Sequence, residues 1–217
     1  MIPEEFLDCV FYLYQSRTAA EGGHAGGGSG FFVGVPSERF PDRVYVYAVT
    51  NRHVVEAGGS RTIRINRRAG GVEVIETDLE HWTRADADDL AVVPFQANLS
   101  ECSYKWLEVR QFVTEDLITR MRIGPGDQVF MVGRLVNHEG LECNTPSARF
   151  GNLSMMPREP VKRDDGSRQL SFMADMRSIS GYSGSPASVF ISPAEQPFRR
   201  LDRSHPDSRS CGPWLLV

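Results

Sequence analysis

Little in this sequence points to a membrane, a metal or a nucleic acid. No run of about 18 apolar residues is present, so no membrane-spanning helix is expected. Neither sign of charge dominates: 24 Lys and Arg stand against 28 Asp and Glu, a net charge of −4. That balance offers no basic face to nucleic acid or to an anionic membrane surface. The four cysteines, Cys9, Cys102, Cys143 and Cys211, are scattered, with no CxxC pair and no Cys/His cluster, which removes the usual structural zinc patterns. They read as free thiols. Glu4, Glu5 and Asp8 stand where a secretory leader carries positive charge. The expectation is a reduced, cytoplasmic protein that needs no metal or organic cofactor.

Sustained helical periodicity is missing too. Short runs rich in Val, Ile, Phe and Tyr recur between turn residues, and this pattern predicts an all-β chain of many strands. A first series is expected at 9–14, 30–35, 44–49, 62–66, 72–77 and 90–94, and a second at 128–136, 148–155, 169–173, 187–191 and 214–217. Between them, residues 114–121 form the best helix candidate, because Thr114 can cap it and Glu115 and Asp116 fall in its first turn. Polar or glycine-rich loops are expected at 21–28, 162–168 and 193–209. The first holds His24 among several glycines, but it lacks GxxxxGK[ST] and joins two strands, so it reads as a loop and not as a phosphate cradle.

Three segments carry chemistry. Nucleophilic attack by a serine needs a histidine to take its proton, a carboxylate to hold that histidine, and backbone N–H groups to receive an oxyanion. His53 lies in Thr50-Asn51-Arg52-His53-Val54-Val55, where an apolar strand gives way to a turn. Asp89 stands directly before the apolar run Leu90-Ala91-Val92-Val93, with Asp88 as its rival. Ser183 occupies Gly181-Tyr182-Ser183-Gly184-Ser185-Pro186, with Ser178, Ser180 and Ser185 as alternatives. His53 and Asp89 are 36 positions apart, and Asp89 and Ser183 are 94 apart.

These segments resemble, in order, the histidine, aspartate and serine motifs of the chymotrypsin/trypsin superfamily of serine peptidases, and the resemblance spans about residue 6 to 217. No cysteine follows His53 or precedes Ser183, and Tyr182 stands where zymogen-activated members carry an aspartate. The chain is therefore closer to disulfide-free bacterial members, such as glutamyl endopeptidases and HtrA-like peptidases. The resemblance implies two antiparallel, six-stranded Greek-key β-barrels, the first at 1–110 with His53 and Asp89 and the second at 111–217 with Ser183. It implies a protein or peptide substrate and an oxyanion hole formed by the Gly181 and Ser183 N–H groups. Arg177, Ser178 and Ser180 are then expected to border the substrate, and a buried Arg177 would favour an acidic side chain before the scissile bond. Residues 214–217 resemble the start of the family's pocket-wall strand, so the second barrel is expected to be incomplete at its C-terminal end. The rival reading is a non-catalytic peptide-binding or scaffold module with the same fold.

Overall fold

The computed structural model describes residues 2–86, 88–136, 140–162, 166, 168–176, 181–191 and 214–216. In chain order the elements are α1 (Glu4–Asp8), β1 (Val10–Tyr14), α2 (Arg17–Gly22), β2 (Gly26–Pro36), β3 (Val44–Thr50), α3 (Arg52–Val55), β4 (Thr62–Arg67), β5 (Val72–Glu76), β6 (Thr83–Arg84), β7 (Ala91–Pro94), β8 (Cys102–Ser103) and β9 (Leu107–Glu108). Then come α4 (Glu115–Met121), β10 (Gln128–Gly133), β11 (Ser147–Met155), β12 (Val161–Lys162), β13 (Arg168–Gln169), β14 (Met173–Met176), β15 (Ala187–Phe190) and β16 (Trp214–Leu216). The fold is the all-β, antiparallel, trypsin-like class expected from the sequence. One sheet runs β5-β4-β1-β2-β3-β7-β6, with β8 on β4 and β9 on β2; another runs β14-β11-β10-β15-β16; β12 and β13 form a separate pair.

Two compact units are formed. The first comprises Met1–Val109, Met131–Ala148 and Ser178–Pro186, and the second Arg110–Phe130, Arg149–Arg177 and Ala187–Val217. His53, Asp89 and Ser183 thus all fall in the first unit. Its core shows period-two patterning. Phe11 and Leu13 of β1 join Phe32, Ile63, Ile65, Trp82, Val93, Phe95 and Tyr104 in one apolar cluster. The residues between and beside them, Val10, Tyr12 and Tyr14, are buried on the other face of β1, so the whole strand is covered. Phe32 sits 4.3 Å from Phe95 and 4.7 Å from Phe11, measured between ring centroids. Each such ring contributes roughly 2–3 kcal/mol on leaving water. In the second unit, Ile123, Val129, Leu153, Val189 and Ile191 form the smaller core.

The sequence expectations differ from this structure at the short helices α1, α2 and α3, which were not expected, and at the loop expected over 21–28. Residues 26–28, expected as loop, extend β2, because their glycines let other segments come close. A Cβ on Gly28 would lie 2.9 Å from Val54 and 3.1 Å from the Ser183 carbonyl oxygen. A strand of bulkier residues would push both away. The helix expected at 114–121 is present as α4, capped by Thr114, whose Oγ1 accepts from the Leu117 N–H.

Candidate functional site

The pairing of β3 with β7 sets Thr50 opposite Ala91, so the residues just beyond Thr50 and just before Ala91 meet at one end of the sheet. That register brings His53 to Asp89. Val54 and Val55 anchor α3 in the core, while His53, on the same short helix, keeps half its side chain exposed. The Asp89 side chain is 10% exposed. Its Oδ1 accepts the His53 main-chain N–H at 2.9 Å, and its Oδ2 lies 2.6 Å from the His53 Nδ1. A carboxylate can only accept, so Nδ1 carries a proton, and in the neutral ring the lone pair is on Nε2. Asp89, not Asp88, is the aspartate bonded to His53.

Asn51 immediately precedes α3, in the position where its side chain ordinarily accepts from the first helical N–H groups. It makes no such bond. The Asp89 carboxylate caps the helix in its place, and the Asn51 amide serves elsewhere. Its Nδ2 donates to the Asp89 carbonyl at 2.8 Å, and its Oδ1 accepts the Gly184 N–H at 2.5 Å.

The turn around Ser183 is held from below by Ser29, which is fully buried in β2. The Ser29 N–H donates to the Ser183 carbonyl at 2.8 Å, and its hydroxyl donates to the Gly181 carbonyl at 2.9 Å. Ser29 is fixed in turn, since its Oγ accepts the Arg134 N–H at 2.9 Å and its carbonyl accepts the Thr50 hydroxyl at 2.7 Å. Tyr182 is buried, with its hydroxyl bonded to Ser147, whereas Ser183 is exposed. Gly181 and Gly184 take φ of 102° and 84°, which an L side chain rarely adopts. The Ser183 N–H makes no hydrogen bond to a described residue. A backbone donor so placed beside Ser183 can receive an anionic oxygen.

Ser29 and Asn51 escaped the sequence reading, although a serine within a glycine run and an asparagine at the end of an apolar strand were visible. Arg177, Ser178 and Ser180 lie outside the described residues. No three His, Cys, Asp or Glu side chains are grouped to hold a metal ion among the described residues.

Comparison with known proteins gives one family match, a model described as a trypsin-like peptidase domain, over residues 28–188. No curated protein matches the chain. Among solved structures, Deg5 superposes with a TM-score of 0.54 at 18% identity, covering 88% of this chain and 82% of that one. Neuropsin, a serine protease expressed in the limbic system of mouse brain, aligns at 12% identity and a TM-score of 0.42, covering 88% of this chain and 84% of that one.

Proposed function

The chain belongs to the family of trypsin-like peptidase domains, and from that premise we propose that it is a serine endopeptidase in which Ser183 is the nucleophile, His53 the general base and Asp89 the residue that orients it. The observation that carries this reading is the double acceptance by Asp89 of the His53 main-chain N–H and ring Nδ1. In the neutral ring this places the proton on Nδ1 and the lone pair on Nε2, the arrangement a general base needs.

In the proposed reaction, the Ser183 Oγ bonds to a peptide carbonyl carbon while its proton passes to Nε2. The carbonyl oxygen becomes an oxyanion received by the Gly181 and Ser183 N–H groups. Collapse breaks the C–N bond, Nε2 returns the proton to the departing amine, and the acyl group stays on Oγ. Water then repeats the sequence and frees the acid. No metal or organic cofactor takes part.

Arg177, Ser178 and Ser180 are assigned to the substrate side of the site by family resemblance. A guanidinium at Arg177 pairing with a carboxylate would favour Glu or Asp before the scissile bond by about ten- to a hundred-fold. The chain's compartment is proposed to be the cytoplasm, a reducing setting in which its scattered cysteines would stay free. The test is labelling by a fluorophosphonate, which reacts with a serine activated by its histidine, followed by a peptide-library cleavage profile. Labelling that Ser183→Ala abolishes supports the enzyme. Labelling absent from the parent chain leaves the non-catalytic peptide-binding module.

A further inference from the structure

The serine turn and the His53–Asp89 pair come from segments far apart in sequence, and one side chain bonds to both. Asn51 lies two residues before His53. Its Nδ2 donates to the Asp89 carbonyl at 2.8 Å, across 38 positions, and its Oδ1 accepts the Gly184 N–H at 2.5 Å, across 133 positions. The orientation of its amide follows from its partners, since a backbone N–H only donates and a carbonyl only accepts. No rotation by 180° about the last torsion preserves both bonds.

The Gly184 N–H belongs to the peptide unit that begins at the Ser183 carbonyl. That carbonyl accepts the Ser29 N–H at 2.8 Å. The peptide following Ser183 is therefore gripped from both sides, by Ser29 on its oxygen and by Asn51 on its nitrogen. Ser29 ties it to the strand floor, and Asn51 ties it to Asp89 and to the start of α3. The space permits no substitute from the turn itself, because a Cβ at Gly184 would lie 2.1 Å from the Ser29 oxygen and 2.2 Å from the Thr50 Oγ1.

We propose that Asn51 is a positioning residue that sets the Ser183 turn in register with the His53–Asp89 pair. This rests on the peptidase reading and deepens it. Asn51 touches no reacting atom and acts through Gly184 and Asp89. Its removal lets the serine backbone and the histidine drift independently, and a misplacement of about 1 Å between reacting groups lowers a rate by about a hundred-fold while leaving binding of the reagent alone.

The experiment measures phosphonylation of the full chain by an alkyl fluorophosphonate, resolved into a saturating rate and a half-saturating concentration. It compares the parent with Ser183→Ala, Asn51→Leu and Asn51→Asp, at a temperature where circular dichroism shows each folded. Reaction of the parent and not of Ser183→Ala sustains the peptidase reading on its own; failure of that pair defeats that reading and this proposal with it. Given a reactive parent, Asn51→Leu is expected to lose about a hundred-fold in saturating rate, with the half-saturating concentration within about twofold. Asn51→Asp keeps an acceptor for Gly184 and loses the donor for the Asp89 carbonyl, and is expected to lose about ten-fold. It carries the test alone where the leucine variant does not fold. A saturating rate for Asn51→Asp within about threefold of the parent overturns the proposal, as does a loss confined to the half-saturating concentration.

Discussion

The Asp89 carboxylate is the acceptor for two nitrogens of His53, the main-chain N–H at 2.9 Å and the ring Nδ1 at 2.6 Å. The first bond caps α3 and fixes where the histidine begins; the second fixes how its ring is turned and protonated. One carboxylate thus caps the helix and, in the proposed reaction, serves the chemistry, and substitution can separate the two.

Asp89→Asn keeps the shape but makes one of the two acceptors a donor. The main-chain N–H of His53 can only donate, so the amide oxygen must stay there and the NH2 must face the ring. Nδ1 then has to accept, which moves the ring proton to Nε2 and removes the base. Fluorophosphonate labelling at neutral pH is expected to fall about ten-thousand-fold, while unfolding free energy shifts by less than about 0.5 kcal/mol because the cap survives. Asp89→Ala loses the cap as well and should cost about 1 kcal/mol more. Equal labelling by Asp89→Asn and the parent would show that Asp89 has no part in setting the tautomer.

The strands were legible where apolar residues alternate or run together, as at Val10–Tyr14 and Val44–Thr50, because burial on a pleated face imposes that pattern locally. The helix α4 was legible through Thr114. The short helices were not foreseen, for two different reasons. For α2 a local signal existed, since Ser16 caps it by accepting from the Ala19 N–H and Gly23 closes it with φ of 62°. For α3 no local signal could serve, since its cap is a carboxylate 36 positions away. The candidate site divides the same way. Residue types and order pointed to His53 and Asp89, whereas the work of Asn51 and Ser29 lies in bonds between distant segments, from 21 positions (Ser29 to Thr50) to 152 (Ser29 to Gly181) and beyond to Ser183.

Gly184 and Gly70 both have positive φ, 84° and 92°, yet their surroundings differ. A Cβ at Gly70 meets nothing within 4 Å, whereas at Gly184 it would collide with the Ser29 oxygen and the Thr50 hydroxyl. Gly70→Ala should therefore cost only the left-handed backbone penalty, about 1–2 kcal/mol. Gly184→Ala adds displacement of buried backbone and should cost about 3 kcal/mol or more, with labelling of Ser183 lost. Urea midpoints for the two variants make the comparison. Equal midpoints would mean that the Ser183 turn yields freely.

Arg64 is fully buried and spends its guanidinium on one loop. It donates to the carbonyls of Gly140 at 3.0 Å and Leu141 at 2.9 Å, and to Asn144 Oδ1 at 3.0 Å. Asn144 answers by donating to the Arg64 carbonyl at 2.7 Å. Arg64→Met fills the volume but leaves three acceptors unmatched, so a loss of about 3 kcal/mol is expected. The segment 140–146 should become open to limited proteolysis. Arg64→Lys, with one ammonium for three separated acceptors, should recover less than half of that loss. Unchanged stability and unchanged proteolysis in Arg64→Met would contradict the role assigned to these bonds.

The thiols supply the last prediction, which concerns alkaline pH. Burial is the first cause that pushes the Cys9 thiol far up from its ordinary 9.0, with Asp8 and then Glu5 adding to it. Burial likewise raises Cys102, and Cys143 is exposed. Thiol reagents attack the thiolate, so in a Cys211→Ser background at pH 8 only Cys143 should react in the native state, and Cys9 and Cys102 should follow on unfolding. Tyr12 is shifted in the same direction, burial being the largest cause, from an ordinary 10.0. For both Cys9 and Tyr12 the folded chain keeps a proton that the unfolded chain releases. The unfolded state then binds fewer protons above its own pKa, and stability must fall as pH rises. The contribution is complete below about pH 9, declines as unfolded Cys9 ionises, and declines further above about pH 10 as unfolded Tyr12 does. Urea midpoints should accordingly be level from pH 7 to 8.5 and lower at pH 10.5, and Cys9→Ala should flatten the first part of that fall. A midpoint that holds between pH 8 and 10.5, or native labelling of Cys9 at pH 8, would show that these groups meet water in the folded protein.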